Sequence, residues 1–332
     1  MKIIVPSVEI LRTGLETNPM RPEQLIEIVG RTCYKSEDKI TEDSAAPFTA
    51  RFITWGHESV LEHWNVIYRF AGDSECDYSA LREMLDYISD ISGRRFFLRY
   101  TRERTDNDDI RCVVSGNMRA WRDVCKACMT HGTGNIPEPL HRVIREYPLF
   151  FPEYQEYITN YDPVFGMWDP LIPVSVSDLS PFERGVHQRI TMRITCDRGV
   201  SHELVRHRVF SFSQESTRYC NYSQDKFGNE IAVIRPSDWE RDSDIYNIWR
   251  DGQLRSEDSY FDMLENGAVP QQARRGLSNS LKTEVIMTGS LNDWQEFFDL
   301  RTPKAAHPDM REIAFMAEDL LAREIGEDSD AN

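Results

Sequence analysis

The sequence predicts an α+β protein, because strand-like and helix-like patterns both recur along its 332 residues. Two runs, residues 64–70 and 187–197, alternate between two kinds of side chain as half-buried strands do. Apolar residues recur at helical spacing in RPEQLIEIVGRTCY, LNDWQEFFDLR and PDMREIAFMAEDLLAREI. Neither pattern dominates the chain, so a mixed architecture is expected.

Strands are expected near the amino terminus and in the middle of the chain. IIVPS is a short strand, and the helix RPEQLIEIVGRTCY that follows has Pro22 in its first turn. In HQRITMRITCD, one face of the strand is apolar and the other carries arginines and threonines. The apolar face consists of Ile190, Met192, Ile194 and Cys196.

Helices are expected on either side of that strand. YSALREMLDYI, residues 78–88, is helical, and so is SYFDMLENG in the last third of the chain. SHELVRHR is predicted as a short helix that begins at the N-cap Ser201, after Gly199 as a breaker. In LNDWQEFFDLR, Ser290 is a candidate N-cap with Asp293 three residues further on.

Composition indicates a globular cytoplasmic protein. The chain has 40% hydrophobic and 28% charged residues and a formal net charge of -16, which disfavours nucleic acid or an anionic membrane as the main partner. No window approaches the roughly 20 apolar residues that cross a bilayer, and the start MKIIVPSVEILRTG is too short in apolar residues for a signal peptide. Seven cysteines without a regular framework favour reduced thiols.

Two patterns could be metal sites, and both are disfavoured: the first lacks a second CxxC to complete four ligands, and the second has the wrong spacing. Cys125 and Cys128, with His131 nearby, lie at helical spacing among apolar residues, which favours a core position. In HESVLEH, His57 and His63 are six positions apart and so lie about 240° apart on a regular helix. A metal hydrolase built on this motif and its two glutamates, Glu58 and Glu62, is therefore disfavoured, and His63 is interpreted as a buried core residue.

The stretch RHRVFSFSQESTRY, residues 206–219, concentrates positive charge in an acidic chain. Guanidinium groups and hydroxyls are the donors that phosphate oxygens require, and Ser211, Ser213 and Ser216 add hydroxyls to Arg206 and Arg208. Aromatic residues interleave with these polar ones, so we expect the arginines to be half buried and to need an anionic partner. A solvated basic face is the alternative. Taken singly, the downstream arginines at 274 and 301 are interpreted as surface charges.

These motifs together resemble the flavin-dependent thymidylate synthases. RHR followed by seven residues and Ser is that family's signature, and here it is preceded by GHESVLEH and followed by FFDLR and AHPDMREIA. The resemblance covers about residues 20–70, 187–222 and 270–325. It implies a single catalytic domain over residues 1–332, with a central antiparallel sheet flanked by helices. The segment at about 72–186 is then a mainly helical insertion.

The resemblance implies methylation of dUMP at the uracil C5 to give dTMP. Methylenetetrahydrofolate would be the carbon donor, and FAD, reduced by NADPH, would carry the hydride. No cysteine nucleophile is implied. The family's active site forms between the subunits of a homotetramer, so a homotetramer is expected here too.

Site residues carry over by position. The flavin would be held by His57, Ser59, Arg206, His207, Arg208, Gln214, Asn117 and Ser290. The nucleotide would be held by Glu203, Arg206, Gln214, Glu215, Ser216, Arg218, Arg274 and Arg301, with Arg301 as the catalytic group against the uracil ring.

Some positions depart from the family's pattern. Glu203 stands where many members have Gln, and Gln214 stands where some have Glu. Members commonly have a flavin-contacting Asn where this chain has Ser290. SGNMRAWRDV and TGSLNDWQEF echo one another, and the first contains Asn117 at the matching place, so either residue could serve. The other functional hypotheses are a nucleic-acid-binding module and a nucleotide- or flavin-binding protein without synthase activity.

Overall fold

The computed structural model describes residues 1–16, 19–70, 82–83, 85–87, 89–90, 97–104, 110–131, 134, 136–158 and 171–326. The chain forms two compact units. Unit 1 comprises Met1–Thr13, Ile28–Lys39 and Ile190–Asn332, and unit 2 comprises Gly14–Glu27 and Ile40–Arg189. The expected insertion at residues 72–186 lies within unit 2, together with the HESVLEH motif.

Unit 1 is built on a four-stranded sheet with the strand order β2–β7–β10–β8. Its strands are β2 (Ser7–Arg12), β7 (Arg189–Asp197), β8 (Ser211–Gln214) and β10 (Lys282–Ser290). β2 pairs with β7 and β8 pairs with β10, both antiparallel. A separate parallel pair joins β1 (Lys2–Ile4) to β9 (Ala232–Ile234). The α+β architecture with antiparallel sheet is thus confirmed.

Helices occur in both units. In chain order they are α1 (Pro22–Tyr34), α2 (Ala45–Thr54), α3 (Met118–His131), α4 (Glu138–Glu146), α5 (Pro181–His187), α6 (Arg198–Leu204), α7 (Asp244–Glu265), α8 (Pro270–Ala273), α9 (Leu291–Arg301) and α10 (Pro308–Gly326). The predictions for α1, α9 and α10 are confirmed, and the helix predicted around SYFDMLENG is the end of the longer α7. No helix in the described ranges is long and apolar enough to span a bilayer.

The core of unit 1 is the predicted apolar face of β7. All four residues of that face are fully buried, as their alternation predicts. They pack with Trp294 and Phe297 of α9 and with Met310 of α10, which are also fully buried. Burying these large side chains supplies much of the free energy that holds helices α9 and α10 on the sheet.

Unit 2 has its own antiparallel sheet, so the predicted insertion at residues 72–186 contains strands as well as the expected helices. The strand order is β4–β5–β3–β6, with β3 at Asn65–Phe70, β4 at Leu98–Arg104, β5 at Ile110–Asn117 and β6 at Leu171–Pro173. β4 is an edge strand with charged, partly exposed side chains, which hides its alternation in the sequence. The helix predicted at residues 78–88 lies largely outside the described residues.

The two echoing segments form the same local structure. Each is the end of a strand that runs directly into a helix, β5 into α3 and β10 into α9. The Asn117 side chain caps α3 by accepting from the Ala120 N–H at 2.8 Å, and the Ser290 hydroxyl caps α9 by accepting from the Asp293 N–H at 3.2 Å. The tryptophans at the common offset, Trp121 and Trp294, are both fully buried.

Gly289, the glycine of the second echoing segment, leaves space for an aromatic ring, so we expect a larger side chain there to destabilise the protein. A Cβ at Gly289 would overlap the ring of Phe210, and that ring is fixed by Trp294 at a centroid distance of 4.9 Å. Gly289→Ala should therefore lower the free energy of unfolding by about 2 kcal/mol through overpacking.

The matched control is Gly252→Ala in α7, where a Cβ would meet no atom within 4 Å. Alanine in an open helical position should raise the free energy of unfolding by roughly 0.5 to 1 kcal/mol. Urea denaturation of the wild type and both variants measures the two effects. Equal stabilities of the two variants would show that the Phe210 ring moves aside without cost.

Candidate functional site

The RHR motif follows a short helix that begins earlier than predicted. α6 starts at Arg198, and its N-cap is Asp197, whose Oδ1 accepts from the Val200 N–H at 2.6 Å. The prediction of Ser201 as the N-cap is wrong, because Ser201 lies inside the helix and is fully buried. The strand β7 ends directly at the better-placed carboxylate, so Gly199 falls in the first helical turn and breaks nothing.

The RHR turn presents its arginines to solvent. α6 ends at Leu204, and residues 205–210 turn before β8 begins. Phe210 is buried and anchors the turn, whereas Arg206 and Arg208 are exposed. The expectation of half-buried arginines is wrong, because the aromatic residue turns inward while its basic neighbours turn outward.

Arg301 lies beside this turn and contacts two of the site residues. Its Nη1 donates to Glu203 Oε2 at 2.9 Å, and its Nε donates to His207 Nε2 at 2.9 Å. Burial, with a contribution from the Arg301 charge, lowers the pKa of His207 to about 4. His207 is therefore neutral at pH 7, and since Nε2 accepts, its proton is on Nδ1. Glu203 and His207 together hold the Arg301 guanidinium in one orientation.

A second turn, Ser216–Tyr219, carries the other predicted anion-binding residues. The Ser216 hydroxyl accepts from the Arg218 N–H at 3.3 Å, and the Arg218 side chain is exposed, with its guanidinium carbon 5.4 Å from the Tyr219 ring centroid. Arg274 reaches the same turn, where its Nη1 donates to Thr217 Oγ1 at 3.5 Å. The structure thus brings Arg274 to the turn that carries Ser216 and Arg218, although it lies 57 positions from Thr217 in sequence.

Three of the predicted ligand-binding side chains already have partners inside unit 1. The Gln214 amide donates to Ser201 Oγ at 2.9 Å and to Thr283 Oγ1 at 3.1 Å. The Glu215 carboxylate is buried and accepts from Lys282 Nζ at 2.8 Å. Ser290 is fully buried in the cap of α9. Their proposed contacts with nucleotide or flavin remain predictions.

The remaining flavin candidates lie in unit 2. His57 and Ser59 are exposed at the start of the 3₁₀ helix Glu58–His63, and Trp55 next to them is 59% exposed. Asn117 caps α3, as described above. His63 is fully buried, and burial lowers its pKa to about 3, which confirms its interpretation as a core residue.

The cysteines of the described residues are free thiols. Cys125 and Cys128 are buried in α3, in agreement with their apolar helical spacing. Burial raises the pKa of the Cys128 thiol to about 11 and also raises that of Cys125. Cys33 and Cys220 in unit 1 have pKa values raised by burial to about 11 and about 12. None of these four thiols is an activated nucleophile.

The electrostatics of unit 1 favour an anionic ligand. Among the residues that the structure describes, Arg206, Arg208 and Arg218 have no carboxylate partner within 4 Å, although the chain carries a net charge of -16. Arg301 is paired with Glu203 but still presents Nη2, which has no partner within the same residues. Exposed guanidinium forks next to serine and threonine hydroxyls are suited to phosphate oxygens.

Comparison with known proteins identifies a family model that matches part of the chain. Residues 173–325, a little under half of the chain, match the family model described as thymidylate synthase complementing protein. Over these residues the chain is similar to that family. The resemblance stated from the motifs is therefore confirmed for the RHR turn, the Ser216–Tyr219 turn and Arg301, whereas His57, Ser59 and Asn117 lie outside the matched range.

Curated relatives named flavin-dependent thymidylate synthase are similar to part of the chain. The Pyrococcus furiosus protein is 30% identical over 140 residues, which are 42% of this chain and 57% of that protein. The Pyrococcus horikoshii protein is 32% identical over 139 residues, 41% of this chain and 56% of that protein. The Mycobacterium tuberculosis protein is 26% identical over 155 residues, 42% and 60% of the two chains. The chain thus spans less than two thirds of these relatives.

Two features of the site were not foreseen. The pairing of Glu203 with Arg301 joins residues about a hundred positions apart, and neither side chain stands out in a basic or acidic run. Thr217 accepts from Arg274, although the sequence analysis assigned it no role. The only sequence signal for Thr217 is its place between two assigned residues, Ser216 and Arg218.

Proposed function

We propose that the chain is a flavin-dependent thymidylate synthase that converts dUMP to dTMP. Methylenetetrahydrofolate would supply the carbon, and FAD, reduced by NADPH, would supply the hydride. The observation that carries this proposal is the pair of basic turns in unit 1. They present exposed arginines without carboxylate partners, next to hydroxyl donors, within the range that matches the family. Such turns are suited to two phosphorylated ligands.

The residues present fit a flavin dinucleotide. Arg206 and Arg208 would bind its phosphate oxygens, and His207, a neutral donor at Nδ1, would contact it by hydrogen bonding. The assignment of His57 and Ser59 to the flavin, and of Asn117 or Ser290 to one more contact, stays a prediction from the motifs. When bound, FAD supplies hydride transfer, while the protein positions and polarises the reacting groups.

The nucleotide would lie between the second turn and Arg301. Ser216, Arg218 and Arg274 would bind the dUMP phosphate, because they converge on one turn. Arg301, oriented by Glu203 and His207, would face the uracil ring and stabilise negative charge that develops on N3 and O4 as C5 becomes nucleophilic. Gln214 and Glu215, whose side chains are engaged inside unit 1, would contribute through their backbone or by supporting the turn.

One observation favours a second candidate, a nucleotide- or flavin-binding protein without synthase activity. Glu203 neutralises Arg301, and the guanidinium would then serve structure instead of the uracil ring. For either candidate, we propose a homotetramer located in the cytoplasm, with no nucleic acid or membrane as partner.

The test is an absorbance spectrum of the purified protein. We expect a yellow protein that loses its colour with NADPH under anaerobic conditions, and whose flavin bands shift on titration with dUMP but not with dCMP, which lacks the uracil N3–H and O4. Formation of dTMP on addition of methylenetetrahydrofolate separates the two candidates. Colourless protein that cannot be reconstituted with FAD would refute both the synthase and a flavin-binding role.

A further inference from the structure

A network of oppositely charged side chains in unit 1 ends at Glu215, the residue directly before the Ser216–Tyr219 turn. Lys35 Nζ lies 2.9 Å from both Glu37 Oε1 and Glu284 Oε1. Lys282 Nζ lies 2.5 Å from Glu284 Oε1 and 2.8 Å from Glu215 Oε2. The Tyr222 hydroxyl then donates to Glu215 Oε1 at 3.2 Å. We call these six residues the charge ladder: Glu37, Lys35, Glu284, Lys282, Glu215 and Tyr222.

Within the charge ladder, Glu284 is held in its charged form by its two lysine partners. Burial alone would raise the pKa of Glu284, but Lys282 and Lys35 outweigh it and lower that pKa to about 2. The side chain of Glu215 is only 2% exposed, and that of Lys282 is 16% exposed. A buried carboxylate of this kind is stable only while its cation is present, because an unpaired charge cannot be left inside a protein at low cost.

Residues of the charge ladder and their neighbours bond to the chain on both sides of the Ser216–Tyr219 turn. Glu215, at its start, also donates its N–H to the Glu284 carbonyl oxygen in β10 at 2.8 Å, and Ser216 donates its N–H to the Cys33 carbonyl oxygen in α1 at 3.0 Å. Tyr222, just beyond the turn, is buried. Between these anchors the main chain bonds locally, as from the Cys220 N–H to the Ser216 carbonyl oxygen at 3.0 Å, and the Thr217 side chain accepts from Arg274.

We propose that Lys282 and Glu284 are positioning residues for the Ser216–Tyr219 turn. Because they bind Glu215, which directly precedes the turn, they fix the place of the Ser216 hydroxyl and the Arg218 side chain. This inference rests on the proposed nucleotide role of the turn. Lys282 and Glu284 contact Glu215 and each other, and neither residue is among those assigned to the nucleotide. Groups that bind a phosphate need support from a second layer to keep their geometry, and a loss of order there weakens binding without removing a contact.

The structure also supplies a matched control. The ladder lines one wall of a cavity of about 460 Å³, and Lys2, an exposed residue of β1, lines the same cavity. Lys2→Met removes an ammonium group from that cavity without touching Glu215. Lys282→Met removes the ammonium group that holds Glu215 and leaves a side chain of similar length.

The experiment compares these variants by amide hydrogen exchange of the ligand-free protein and by calorimetric titration of the flavin-loaded protein with dUMP. In Lys282→Met we expect exchange at Tyr219 and Cys220 to be about tenfold faster and the Kd for dUMP to rise about tenfold, with the flavin absorbance unchanged. Lys282→Arg should restore both values to within about threefold, because a cation again reaches Glu215. Lys2→Met should match the wild type.

Each outcome either supports or contradicts the positioning role of the charge ladder. If exchange in Lys282→Met equals that in Lys2→Met, the ladder does not position the turn. If exchange is faster but the wild type binds no dUMP, the turn is positioned by the ladder and the proposed function has failed separately. Should Lys282→Met not fold, the double variant Glu215→Gln with Lys282→Met removes the stranded charge. It should fold and show intermediate exchange, and wild-type exchange in it would overturn the proposal.

Discussion

Arg301→Ala is expected to lower dTMP formation by about a hundredfold to a thousandfold, the range for losing one preorganised charge at a reacting oxygen. Flavin content should stay unchanged, because the FAD phosphates are assigned to Arg206 and Arg208. The geometry supports this separation of roles. His207 and Glu203 hold Nε and Nη1 of the Arg301 guanidinium, which leaves Nη2 to contact a ligand. Steady-state kinetics and flavin absorbance of the same preparation measure both quantities.

The matched control is Arg323→Ala, an arginine near the end of α10 that is paired only with a neighbouring acid one helical turn away and is 68% exposed. It should retain wild-type turnover, because surface ion pairs contribute little. Unchanged turnover in Arg301→Ala would show that the uracil contact has been misplaced. Loss of flavin in that variant would move Arg301 to the flavin site.

Arg218→Ala should weaken dUMP binding about tenfold to a hundredfold while leaving reduction of the flavin by NADPH nearly unchanged. A charge-assisted hydrogen bond to a phosphate contributes roughly 1.5 to 3 kcal/mol, which corresponds to that range. Arg218 is exposed, and it shares its turn with Ser216 and with the residue that Arg274 contacts. Calorimetric titration with dUMP and stopped-flow reduction by NADPH measure the two effects separately.

Arg275→Ala serves as the matched control, because Arg275 is equally exposed and adjacent to Arg274. It should bind dUMP as the wild type does, apart from the small loss of long-range attraction that salt screens. If Arg218→Ala instead slows flavin reduction and leaves the Kd for dUMP unchanged, the second turn belongs to FAD and the two basic turns exchange roles.

Local patterns predicted the elements that hold the site in place. The alternation in HQRITMRITCD predicted β7 and its buried face, because a strand with one face in the core must alternate. The helical spacing in LNDWQEFFDLR predicted α9, and the capping box of Ser290 and Asp293 formed as expected. The N-cap of α6 was predicted four residues too late, at Ser201 instead of Asp197, because a strand that runs straight into a helix leaves no loop signal between them.

Other properties depended on partners far along the chain. The edge strand β4 of unit 2 pairs with β5, and charged side chains on an exposed edge conceal a strand from any local reading. Whether an arginine is buried also depends on tertiary structure: Arg206 and Arg208 lie outside although they alternate with aromatic residues, because only Phe210 finds space against Trp294.

For this protein, sequence alone determined the order of motifs, their charge and the resemblance of residues 173–325 to a known family, since these are properties of residue identity and spacing. Only the tertiary structure decided that Glu203 and His207 orient Arg301, that Arg274 reaches the turn at Ser216, and that Lys282 holds Glu215. The reason is physical: hydrogen bonds and ion pairs act over a few ångströms, and residues tens to a hundred positions apart come within that range only when the sheet brings their strands together.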